Sequence, residues 1–384
     1  YFKYFSVLTG LSLLLSNFSL TSPLKAQSPA NAKNEIVLGA VFPMSGNSAT
    51  FGQESMNGLR LALDEINVKG INGKKIRLVL EDDKGEPMDS ANAVRKLINV
   101  DNVIAVIGSV ASSNTLAGAP IAQEAKTPLL TPASTNEKVT ETGDYVARIC
   151  FTDNFQGVVM AKFAAEKLKA KKAAIVMDTS SDYSKGLTKV FKEKFQTLGG
   201  TVVGGDLAYQ QKDQDFRTLI RKVKRAGADV IFLPGYYSEV GLFLKQARAQ
   251  GMTTPVLGGD GWDSPVLQKL AGDGVNNTFI SSHFSADDTD PKVKSFVQNY
   301  TKIYKERPGA MAALGYDALL VMAEALKRVQ KLDRVSLKNA INNTKNFKGV
   351  TGDITLDTHR NAIKSAVVLK VTPQGNEFAE KVGP

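Results

Sequence analysis

Apolar and polar positions along this chain switch between two periods, and the switches come at regular intervals. "EIVLGAVF" (35–42) is a near-continuous apolar run, the pattern of a strand buried on both faces. In the segment 51–70, Leu59, Ala62, Leu63 and Ile66 stand at i, i+3, i+4 and i+7, which predicts a helix. "KIRLVLED" (75–82) alternates and predicts a strand. Pro87 opens a helix to about residue 100, since proline fits the first helical turn. "VIAVIG" (103–108) predicts a strand, 112–125 a helix and "PLLTPA" (128–133) a strand.

The alternation restarts after Phe151. The helix "FQGVVMAKFAAEKLKA" leads to the strand "KAAIVMD". There follow a helix over 183–198, the strand "TVVGGDLAY", a helix over 215–226, the strand "DVIFLPG", a helix over 239–250 and the strand "PVLGGD". Strand–helix units of this length predict parallel sheets covered by helices on both faces. Two series predict two doubly wound α/β lobes. From Asn277 the order changes: "NTFISSHF" is a strand, three helix-like segments run to about 343, and "GDITLD" and "SAVVLKVT" are short strands. This tail is too short for a third domain and is expected to complete both lobes.

Doubly wound sheets bind ligands outside the carboxyl ends of their strands. That places "GSVASS", "TPAST", "MDTSSDY", "PGYYSE" and "GGDGWD" at the functional edge. On the first series, Ser112, Ser113 and Asn114 begin a helix, and one of the three is expected to cap it. A helix start also attracts an anion, so a carboxylate would fit there beside the Ser112 hydroxyl. The next strand end adds the backbone carbonyl of Ala133 as an acceptor and the Thr135 hydroxyl as donor or acceptor. On the second series, Tyr183, Tyr236, Tyr237, Asp260 and Trp262 follow strands. A carboxylate at Asp260 attracts a cation, and the aromatic residues add apolar surface with polar tips. One lobe then suits a carboxylate and the other an ammonium, which together describe a zwitterionic α-amino acid.

Reaction chemistry is sparse. His283 and His359 stand far apart, and no metal-ligand spacing, nucleophile elbow or phosphate loop occurs. Asp82, Asp83 and Asp260 are the strand-end carboxylates from which an enzyme would have to be built. "DDTDP" (287–291) lacks the spacing of a calcium loop and reads as a helix cap before Pro291. The single cysteine, Cys150, lies in the apolar "ARICF" and reads as core. The net charge of +10 does not form nucleic-acid clusters: "KAKK" and "RKVKR" read as solvated helix faces. No enzyme, cofactor, metal or nucleic-acid partner is expected. Residues 1–26 have the charged start, apolar middle and small-residue end of a secretory signal peptide, so the remainder is expected to be soluble and exported.

"VFPMSGNSATFGQESMNGLRLALDEIN", "LVLEDDKGEP", "VIGSVASSNTLAGAPIAQEAKTPLLTPAST" and "LPGYYSEVGLFLKQARAQG" resemble the leucine/isoleucine/valine-binding protein family. These are the type I periplasmic substrate-binding proteins of ABC importers. The resemblance covers roughly Glu35 to the C-terminus. It implies two Rossmann-like lobes joined by three crossover segments that close on a ligand. It implies lobe 1 at 34–152 plus 284–345 and lobe 2 at 153–283 plus 346–384. It assigns ligand contacts to Ser112, Ala133, Thr135, Tyr183, Tyr236 and Asp260, with Phe51 where many relatives have Tyr. Phe51, Tyr183 and Trp262 would favour a neutral aliphatic side chain. A periplasmic monomer that delivers an amino acid to ABC permease subunits is the reading implied. A binder of urea or short amides, and a ligand-sensing receptor component, are its rivals.

Overall fold

The computed structural model describes residues 34–384, so the signal-peptide expectation for 1–26 lies outside the described residues. The first sheet is made of β1 (Glu35–Phe42), β2 (Lys75–Asp82), β3 (Ala105–Gly108), β4 (Leu129–Thr131) and β5 (Val146–Arg148). All are parallel, in the order β2-β1-β3-β4-β5. Successive strand residues face opposite sides. Ile36, Leu38, Ala40 and Phe42 of β1 therefore enter one core while Val41 enters another. Helices cover both sides, which is why β1 could be apolar throughout.

The second sheet repeats this plan. β6 (Lys172–Asp178), β7 (Thr201–Tyr209), β8 (Val230–Phe232), β9 (Val256–Gly258) and β10 (Thr278–Ser282) run parallel. After them come β11 (Phe347–Gly349), β12 (Gly352–Leu356) and β13 (Ala362–Ile363), a small separate sheet. Finally, β14 (Ala366–Thr372) and β15 (Gly375–Val382) extend the second sheet antiparallel beside β10. Its full order is β15-β14-β10-β9-β8-β6-β7. Strand order reverses between β1 and β3 and again between β6 and β8. These are the switch points where a crevice opens at the carboxyl ends.

The tail does return to both lobes, but its boundary differs from the expected one. Residues 346–363, expected with lobe 2, bond to the first lobe. Asp317, in the helix Ala310–Arg328 that packs on Ala49–Lys69, accepts from the amides of Val350 (2.9 Å) and Thr351 (2.8 Å). Arg360 donates to the carbonyls of Val146 (3.1 Å) and Thr140 (2.7 Å). A buried carboxylate needs donors, and the β11–β12 turn supplies them, so the chain leaves the first lobe only after β13.

Three crossings then join the lobes: 149–152, 282–285 and 364–365. Phe151 of the first stacks on His283 of the second, with ring centres 3.6 Å apart. Lys364 in the third is buried, donates to Thr351 Oγ1 at 2.5 Å, and is held down to about 8 by burial. Cys150 is wholly buried, and desolvation pushes its thiol up to about 12, so it is a core residue. Asp290 accepts from the Lys292 amide at 2.8 Å and caps the helix that starts at Pro291. Among the described residues no helix is long and apolar enough to cross a membrane.

Candidate functional site

On the first lobe, the helix Ser112–Glu124 starts directly after β3 at the switch point. The expected side-chain cap is absent. Ala111 is the N-cap residue, and the Ser112 and Ser113 hydroxyls serve other partners. Ser112 Oγ accepts from the Asn136 amide (3.2 Å), and the buried Asn114 Nδ2 has no hydrogen-bond partner. Ser113 Oγ reaches across to the second lobe, where it bonds the Asp182 carboxylate (3.0 Å) and the Asp182 amide (3.0 Å). The uncapped first turn keeps its partial positive charge at the cleft.

The loop after β4 is set by buried bonds. Thr131 Oγ1 donates to the Ser109 carbonyl (2.6 Å) and accepts from the Ser134 amide (3.0 Å). The decisive group is Arg148 of β5, fully buried, which was not anticipated. Its guanidinium donates to the carbonyls of Ser134 (2.6 Å), Asn136 (2.7 Å) and Glu137 (3.2 Å). Several donors in one rigid plane fix three carbonyls at once. The Ala133 and Thr135 positions are thereby pinned from behind.

The second lobe faces them with Tyr183, Tyr236 and Asp260. The Tyr183 and Tyr236 rings stack 5.3 Å apart, and Phe51 of the first lobe meets Tyr236 edge-on at 6.1 Å. The Gly261 amide donates to the Tyr183 hydroxyl (3.2 Å). A β-carbon at Gly259 would stand 2.3 Å from that hydroxyl, so only glycine lets the loop approach this closely.

Asp260 is buried, and both its oxygens have partners. Gln156 Nε2 donates to Oδ1 (3.0 Å), and His283 Nε2 donates to Oδ2 (3.0 Å). Burial holds the His283 imidazole below its usual value against the pull of Asp260. The ring is therefore a neutral donor. Gln156 Nε2 also reaches Asp153 Oδ1 (2.9 Å), which ties two carboxyl groups together. Burial first, and then the Asp260 charge, push Asp153 up to about 8, with Thr135 and Gln156 opposing. The pair thus retains a proton at neutral pH, as expected for two acids in one dry site.

Phe51, Ser112, Ala133, Thr135, Tyr183, Tyr236 and Asp260 converge on one enclosed cavity, together with Val110, Gly261 and Met311. In this closed arrangement its free space is about 10 Å³, room for about one water molecule. Anything larger enters only as the lobes part. Trp262 does not join them. Its indole is fully buried, donates to the Leu233 carbonyl (3.0 Å), and occupies the space beside Gly258 that a β-carbon would fill. The expectation that Trp262 forms a pocket wall is corrected: it supports the Asp260 loop from the core.

Asp153, Gln156 and His283 join Asp260 in this network beyond the contacts expected from the sequence. His283 directly follows β10, so the strand-end rule pointed to it. Asp82 and Asp83 do not converge with Asp260. Asp82 accepts from Met44 (2.8 Å) and Ser45 (2.7 Å), and Asp83 from Ser109 (2.5 Å). Among the described residues no group of three or more acidic, His or Cys side chains is placed to hold a metal ion.

Two doubly wound lobes that face each other across a buried cleft form a two-lobe α/β fold. Residues 35–376 match the periplasmic binding protein family model, and the chain belongs to that family. The leucine binding protein LivK of Thermotoga maritima is 38% identical, with a TM-score of 0.88 over 91% of this chain and 99% of that one. The branched-chain amino acid transporter substrate binding protein LivJ of Streptococcus pneumoniae, solved with isoleucine, is 35% identical. Its TM-score is 0.86 over 91% of this chain and 100% of that one. An amino acid binding protein of Pseudomonas aeruginosa is 34% identical over 63% of this chain, and the match spans 65% of that protein's length.

Proposed function

We propose that this protein is the exported substrate-binding component of an ABC importer and carries a neutral, branched-chain or other aliphatic, L-amino acid. The observation that carries this reading is the opposition of two chemical poles across one cavity. The uncapped helix start with Ser112 and Thr135 offers donors for a carboxylate. Asp260 offers an acceptor for an ammonium. Phe51, Val110 and Met311 leave apolar surface for the side chain and no ionised group to meet a charged one. LivK, a leucine binding protein, and LivJ, solved with isoleucine, support the same class.

The ligand docks on the pinned first lobe, and the Asp260 side then closes over it. A ligand shifts the open–closed equilibrium only by its differential affinity for the two states. Moving it from 1:99 to 99:1 takes about 5.5 kcal/mol. A desolvated ammonium–carboxylate pair supplies much of this. His283 ties Asp260 to Phe151 and hence to two of the three crossings, so contact with the ligand is felt at the hinge. The closed form then docks on the permease subunits, and the ligand leaves unchanged.

A thermal-shift panel of the twenty amino acids and urea tests the reading, since a ligand of the native state raises apparent stability. Leucine, isoleucine or valine should give the largest shifts. A shift with urea and none with any amino acid would refute it.

A further inference from the structure

A second cavity of about 510 Å³ opens between the lobes beside the crossing 282–285, and it shares no lining residue with the amino-acid cleft. Its central group is Glu54, on the helix Ala49–Lys69, only 7% exposed, whose Oε2 is buried with no hydrogen-bond partner. Gln268 of the second lobe presents a second orphan acceptor, Oε1, because its amide nitrogen already donates to Asn376 Oδ1 (3.1 Å). Between them, Asp263 is saturated by Ser282 (2.6 Å) and Asn376 (2.9 Å). The cavity therefore holds two buried acceptors without partners, while Lys269 and Arg307 also line it. Phe284, Pro308 and Leu369 add apolar wall.

An ammonium group has three donors and no acceptor. The geometry points to a second binding site here, for a small organic ammonium ion with a short apolar body, which donates to Glu54 Oε2 and Gln268 Oε1. No metal-ion grouping exists among the described residues, so an organic cation is the matching class. Glu54 comes from one lobe and Gln268 from the other. Occupancy therefore favours closure and raises amino-acid affinity, and by linkage the amino acid raises amine affinity equally.

Burial, followed by the charges of Asp263 and Glu306, holds the Glu54 carboxyl well above its usual range. The other groups around it do not neutralise it. Lys269 and Arg307 line the cavity, Arg307 pairs with Asp287, and the nearby Tyr237 and Tyr300 are neutral phenols. Binding of an ammonium ion ionises Glu54 and releases its proton, so affinity rises with pH.

The test is calorimetric titration of n-butylamine into leucine-saturated protein, in two buffers of different ionisation enthalpy. Saturation keeps the amine out of the Asp260 cleft. The expected result is one site with proton release, weakened about tenfold to a hundredfold in Glu54→Gln. Leucine affinity of that variant should stay within about twofold. Gly309→Ala, whose new methyl would stand 2.7 Å from Glu54 Oε2, should weaken the amine without removing the carboxyl. The same titration without leucine, on Asp260→Ala, must still show the amine site. That arm separates failure of this site from failure of the amino-acid reading. No amine binding, equal binding by Glu54→Gln, or binding lost in Asp260→Ala would each overturn the proposal.

Discussion

The two faces of the cleft solve opposite problems. The first-lobe face is neutral, and its difficulty is precision: a short loop must hold Ala133 and Thr135 still. Arg148 does this from behind, with its charge facing carbonyl oxygens and none of it facing the ligand. The second-lobe face carries the charge, and its difficulty is desolvation. Gln156 and His283 bond Asp260, and Asp153 keeps its proton so that the site does not hold two buried anions. The difference teaches that one face works by preorganised geometry and the other by controlled electrostatics. Mutations on the two should therefore separate affinity from stability.

The largest effect is expected on the charged face. Asp260→Ala should weaken leucine binding by about 3–5 kcal/mol, read by calorimetry, because it leaves a buried ammonium unpaired. Next comes the geometric face. Arg148→Met leaves three carbonyls without their donors and should lower unfolding stability by about 3 kcal/mol, read from urea midpoints. If Arg148→Met left stability intact and abolished binding instead, the division between the faces would fail. Ser112→Ala should then weaken leucine by about 1.5–3 kcal/mol, the range of a hydrogen bond to a charged group, and lower stability by about 1 kcal/mol because the buried Asn136 amide loses its acceptor.

The last prediction concerns pH. A folded Asp153 at about 8, against about 4 in the unfolded chain, holds an extra proton over that window. Stability of the ligand-free protein from this group is greatest below about pH 4 and falls as pH rises towards about 8. Asp153→Asn removes that loss. Its melting temperature should gain on the wild type as pH is raised from about 5 to about 8, and a constant difference would contradict the assignment.

Much of the fold was legible because long elements state their period. β1, β2, β6 and β7 have the predicted limits. β5 was missed because it is three residues long and ends in Arg148, which reads as surface although it is fully buried. The chain after 343 was only partly legible, since β11 and β13 are two or three residues long and are held by Asp317 and Arg360 rather than by a pattern.

Most of the candidate site was legible because strand ends mark the edge and the family motifs mark the positions. Trp262 was misplaced because position after a strand does not say which way a side chain turns. Here the bare backbone of Gly258 admits the indole into the core. Gln156 bonds Asp260 from 104 residues away, and such convergence leaves no local trace in a helix that reads as core.

The central claim is that the cleft reads both ends of a zwitterion. Its most direct test is displacement of bound leucine by the two half-molecules, 3-methylbutylamine and 4-methylpentanoate. Each lacks one pole, and each should compete about a hundredfold or more worse than leucine itself. If either half displaced leucine as well as leucine does, one face of the cleft would be idle and the account would be wrong.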